Sequence, residues 1–205
     1  MMQLFLFFLF GLTAAFIGSI PVGPVNLSVV DTRIRNGAME AAKFSMSASL
    51  IEVGQSLVAI YFGAALFERV ALHTIFNISV VVLLVGLGIY YLQKKNSSRS
   101  PRLKFGSSGL FRGALIGLIN PQGIPFYIFL LALFRVDMAA ITQAHVMVGF
   151  LAGIFLGKGG LLLAYGHFGF FLSNRLVAMV PRLNKFIGSI LIFLAFVSFI
   201  KDLVL

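Results

Sequence analysis

Cysteine is absent from the chain, which removes disulfides, thiolate catalysis and Cys-ligated metals together. Charge is scarce as well: charged residues are 11% of the sequence, and Asp and Glu together number 6. A soluble domain carries about 25% charged residues because water must wet its surface. A chain of 205 residues with so few cannot offer that surface. The three histidines, His73, His145 and His167, are scattered and form no His-Glu-x-x-His pattern, so no metal site is expected. No Gly-x-x-x-x-Gly-Lys-Ser/Thr loop occurs, since Gly153 to Gly160 does not fit it; any energy must come from a gradient or a partner. No nucleophile–base constellation is present either, so an enzyme is not expected, and no cofactor is implied.

What is there is apolar. Hydrophobic residues make up 60% of the chain, and the mean hydropathy is +1.03. At roughly 20 residues per span, this length holds six or seven membrane helices and little else. Apolar runs predict an all-α polytopic membrane protein with six spans, near 3–30, 42–66, 70–92, 111–134, 142–170 and 184–203. One domain, 1–205, is expected, with halves 1–93 and 110–205 joined by a basic loop, 94–109. Met1 to Phe10 is apolar from its start, without the basic flank of a signal peptide, and reads as part of the first span.

The net charge of +10 does not point to nucleic acid, because the basic residues cluster in short connections. Arg33, Arg35 and Lys43 flank the first. Lys94, Lys95, Arg99, Arg102, Lys104 and Arg112 mark the central one, and Arg175, Arg182 and Lys185 the fifth. These twelve of the 16 basic residues fall on one side, which the positive-inside rule makes cytoplasmic. Both termini then face outward, and Asp31 faces water at the exit of the first helix. Gly37, with Arg33 and Arg35, marks a cytoplasmic turn.

Two segments resemble each other. Pro21-Val22-Gly23 and Pro121-Gln122-Gly123 share Pro-x-Gly at a spacing of 100 residues, each with a further proline close by, Pro24 and Pro125. Each lies in the first helix of a three-helix half. An odd number of spans per half inverts the second half relative to the first, as in inverted-repeat transporters. Proline removes a backbone donor, and freed peptide groups in hydrocarbon are costly unless they line a cavity or find a partner. Matched breaks therefore point to a substrate site, whereas a single proline would only kink a helix.

Glu52 sits mid-way along the second span and Lys158 in the fifth. A central charge costs about 2.5–3.5 kcal/mol on insertion scales, so both should face the bundle interior. An ion pair between them is geometrically allowed, either as a static lock or as a group that handles a proton or a zwitterionic substrate. Gln55 shares the face of Glu52. Asn26, Asn120 and Gln122 border the breaks, where their amides can bond freed backbone or a substrate. Gly149, Gly153 and Gly157 form a small-xxx-small stripe for close helix contact.

Pro21-x-Gly23-Pro24-x-Asn26-Leu27, then Arg33-x-x-x-Gly37, then an acid in the second helix, resembles the LysE/RhtB family of amino-acid exporters. Gly117-Leu118-Ile119-Asn120-Pro121 is similar to that family's second motif. Two positions depart from it, Pro-Val-Gly-Pro in place of Pro-Gly-Pro, and Gln122 where a basic residue is frequent. The resemblance implies efflux of amino acids or related small metabolites across a bacterial inner membrane, driven by an ion gradient. It implies a substrate and ion pathway through Pro21, Gly23, Pro24, Asn26, Glu52, Asn120 and Pro121, which Gln55, Gln122 and Lys158 extend from the residue reading. The expected partners are an amino-acid-like small molecule and the lipid bilayer; a homo-oligomer is left open. Export of a metal cation or other small ion, or a non-transporting assembly role, are the alternatives.

Overall fold

Residues 2–67, 73–93, 108–120, 122–134 and 136–204 are described by the computed structural model. Pro121, Arg69, Arg135 and residues 94–107 of the central loop lie outside them. Among the described residues every regular element is an α-helix: α1 Met2–Ser19, α2 Pro24–Asn36, α3 Ala38–Phe67, α4 His73–Gln93, α5 Gly109–Ile119, α6 Gly123–Leu133, α7 Met138–Ile141 and α8 Ala144–Val204. Long apolar helices satisfy their own backbone, which is the condition for residing in lipid.

The outside of the bundle is as greasy as its inside. Phe5, Leu50, Leu118, Val148 and Phe168 are all more than half exposed, a surface that a water-soluble monomer does not present over such an area. Three helical stretches are long and apolar enough to cross a bilayer, Met2–Ser19, Ala38–Gly63 and Ala144–Gly169; a fourth is the pair α5 and α6, bent by 60° at its break. The structure is thus an all-helical membrane protein with three clear spans, or four with the bent pair, among the described residues.

Glycine stripes set how closely the helices approach. A methyl group on Gly149, Gly153 or Gly157 of α8 would run into the backbone of Leu4, Phe8 or Leu12 of α1. The three contacts recur every fourth residue on both helices, which is small-xxx-small packing. A second stripe, Gly109, Gly113 and Gly117 of α5, lies against Glu40, Phe44 and Ile51 of α3. Two buried clusters fill the spaces between. One gathers Ile60, Tyr127, Leu131, Phe150 and Ile154; the other gathers Val29, Phe44, Ala48, Ile116 and Leu162.

Two features differ from the sequence reading. Residues 144–204 form one helix where two spans and a connection were expected. Pro181 is the proline inside it; the rest of 171–183 carries helix formers and lacks the Gly/Pro clusters that punctuate loops. Lys158 and Phe186 line the same cavity, although roughly 28 residues of straight helix would hold them roughly 42 Å apart. α8 therefore bends back along its length. Arg112, counted above among the loop charges, is instead a buried residue of α5. Its guanidinium donates to Asp31 at 3.2 Å and to Asn36 at 3.0 Å. Asp31 also accepts from Arg35 at 2.6 Å, so it links the end of α2 to the start of α5 rather than simply meeting water.

Gly37 turns α2 into α3 with φ at +90° and ψ at 179°, a region open to glycine alone. A methyl group there would meet no atom within 4 Å, so the effect of Gly37→Ala is confined to backbone strain. The substitution is expected to destabilise the protein by about 1–3 kcal/mol, read as a lowered thermal midpoint in detergent.

An ion-paired cavity between two broken helices

The first break falls between Ser19, the last residue of α1, and Pro24, the first of α2. Proline suits the first helical position because its missing N–H would be unpaired there anyway. The last carbonyls of α1 lose their helical partners and are bonded from elsewhere. The Asn26 side-chain amide donates to the carbonyls of Ser19 at 2.7 Å and Pro21 at 3.1 Å. The Tyr165 hydroxyl, from α8, donates to the Ile20 carbonyl at 2.6 Å.

The second break separates Ile119 from Gly123. Here the amide of Gln55, reaching across from α3, donates to the carbonyls of Gly117 at 3.0 Å and Asn120 at 3.1 Å. The Tyr91 hydroxyl donates to the Gln122 side-chain oxygen at 3.2 Å. A methyl group on Gly123 would collide with the Gln55 oxygen, so glycine is what lets the restarted helix come this near. Gln55→Leu removes the donor that both carbonyls share. The Gly117 carbonyl keeps the Asn120 N–H, so the half-buried Asn120 carbonyl is the one that loses its donor. An unsatisfied acceptor of this kind costs about 1 kcal/mol, and the thermal midpoint is expected to fall by that equivalent, with export falling alongside. Gln55→Glu would not restore it, since a carboxylate offers no N–H.

Between the breaks lies an ion pair. The Lys158 ammonium stands 2.6 Å from a Glu52 carboxylate oxygen, with the side chains 10% and 14% exposed. The ammonium also donates to the Ser19 hydroxyl at 3.0 Å, and the Tyr127 hydroxyl donates to the other Glu52 oxygen at 3.0 Å. Each charge thus touches its opposite and one hydroxyl, the arrangement that a mostly buried pair needs.

These groups surround a cavity of about 560 Å³, within the size range of small-molecule sites. Pro21, Gly23, Asn26, Glu52, Gln55, Asn120, Gln122 and Lys158 all line it. Pro24 does not line it and instead opens α2. Residue reasoning did not single out Ser19, Tyr91, Tyr127 or Tyr165. A signal was available: Tyr occurs 5 times in the chain, and a hydroxyl in an apolar helix must find a polar partner. Its partner, however, could not be named without the packing.

An apolar helical bundle that holds an ion pair and two helix breaks around a mostly apolar cavity is suited to passing a solute through a membrane. Such a bundle serves to pass a solute rather than to transform it. The chain belongs to the LysE type translocator family, whose model matches residues 16–202. That match spans both breaks, Glu52 and Lys158, and makes the protein a membrane transporter and not an enzyme. No curated protein and no solved structure matches the chain.

Proposed function

We propose that the protein is a secondary transporter that exports amino acids or closely related metabolites through this cavity, coupled to an ion gradient. The observation that carries the reading is reciprocal bracing of the two breaks. Gln55 of the first half bonds the break in the second, and Tyr165 of the second half bonds the break in the first. The charged pair repeats the pattern: Glu52 takes a hydrogen bond from Tyr127 of the second half, and Lys158 gives one to Ser19 of the first. Such exchange is what two inverted three-helix halves would produce around a site at their interface. It supports six spans in two inverted repeats, and with them a single domain. The basic connections support a bacterial inner-membrane orientation with both termini outside.

Rocking one half against the other would break and remake these cross-bonds, opening the cavity to alternate sides. Pro21, Gly23, Pro24, Asn26, Glu52, Gln55, Asn120, Pro121, Gln122 and Lys158 form the pathway in this reading, with Glu52 as the group that exchanges a proton or a substrate ammonium. Cells overexpressing the chain and fed dipeptides should release amino acids into the medium faster than empty-vector cells. Release no faster than the vector control, with the protein present in the membrane, would remove the amino-acid exporter reading.

A further inference from the structure

The chemistry of the cavity walls narrows the solute. Among the described lining residues Glu52 is the one acid and Lys158 the one base, so the walls carry no net charge. Most of the remaining polar groups are already engaged. Asn26 and Gln55 spend their N–H groups on backbone carbonyls, and Gln122 accepts from Tyr91. The Asn120 carboxamide lines the cavity and makes no hydrogen bond to a described residue. The rest of the wall is apolar, with Ile17, Ile20, Val25, Phe126, Phe129 and Phe186.

We propose that the cavity selects a net-neutral zwitterion with an apolar body, an α-amino acid bearing a branched aliphatic or aromatic side chain. This rests on the transporter reading above. The solute's ammonium takes Glu52 and its carboxylate takes Lys158, so one protein ion pair is exchanged for two with the ligand and neither buried charge is stranded. The Asn120 amide supplies a further contact to the carboxylate. The side chain then lies on the aromatic and aliphatic wall. A second ammonium, as in lysine, or a second carboxylate, as in glutamate, would enter that wall with no opposite charge to meet it, and an unpaired charge in an apolar site is strongly disfavoured.

The test uses the purified full-length protein in liposomes, with counterflow of labelled leucine, phenylalanine, alanine, lysine and glutamate measured side by side. Leucine and phenylalanine should exchange at least roughly tenfold faster than lysine and glutamate, the ratio that one unpaired charge readily exceeds. In Phe129→Ala, leucine exchange should fall several-fold more than alanine exchange, a ratio taken within one sample and so independent of how much protein folds. Lysine or glutamate exchanging as fast as leucine would overturn the selectivity and leave the transporter reading standing. An equal fall of leucine and alanine in the variant would also count against the apolar wall as the selector. Exchange of none of the five would overturn both.

Discussion

Lys158→Met is expected to abolish export and to destabilise the protein by about 3–5 kcal/mol, the cost of leaving one member of a buried pair without its partner. Glu52 would keep only the Tyr127 hydroxyl, and the Ser19 hydroxyl would lose its donor. The decisive comparison is with the double variant Glu52→Gln/Lys158→Met. Replacing both members of a buried pair is often neutral or stabilising, and a Gln at 52 can still accept from Tyr127. The double variant should therefore recover the thermal midpoint in detergent while remaining unable to export. A static lock and a working pair differ in that outcome. If the double variant exports at the wild-type rate, the charges serve the fold alone and the proposed pathway loses its centre. Glu52→Gln by itself keeps an acceptor for Tyr127 but leaves the Lys158 ammonium without a carboxylate, so it should be destabilised relative to the double variant and should lose gradient-driven export in vesicles.

Gly153→Leu is the second large effect. A methyl group at Gly153 already meets the Phe8 carbonyl and the Leu12 nitrogen, both backbone atoms that cannot swing aside as a side-chain tip would. A whole isobutyl group would push α8 off α1. Overpacking costs about 1–3 kcal/mol where side chains can adjust and more where they cannot, so little monodisperse protein should survive detergent extraction and size-exclusion chromatography. Gly160→Leu is the matched control, because a methyl group there meets nothing within 4 Å. Equal recovery of the two variants would show that α1 and α8 are not seated on each other through this stripe. Lys158 follows Gly157 directly, so a displaced α8 would also pull the ammonium away from Glu52 and Ser19.

Some of this was legible from the residues. The positions of both breaks follow from Pro and Gly clustering, because proline's missing donor and fixed φ act locally. Glu52 and Lys158 had to face inward, since hydrocarbon does not tolerate them outward. The Gly149, Gly153 and Gly157 stripe follows from its spacing alone. The Gly109, Gly113 and Gly117 stripe has the same spacing but straddles the predicted start of its helix, which concealed it. Arg112 looked like a loop charge because it stands at the second position of the expected span 111–134, next to the basic central connection. Residues 144–204 looked like two helices because hydropathy dips near Arg175 and Arg182, and hydropathy does not report whether backbone hydrogen bonding stops.

Composition and local chemistry determined that this chain resides in lipid, is helical, and breaks two helices at proline–glycine clusters. Those outcomes depend on each residue's own backbone and its own cost of transfer from water. Only the tertiary structure decided that Gln55 and Tyr165 bond the breaks of the opposite halves, that Lys158 meets Glu52 and Ser19 together, and that Arg112 is buried against Asp31. These are contacts between residues far apart in the chain, and their partners are chosen by how the helices pack, which glycine spacing permits but does not specify.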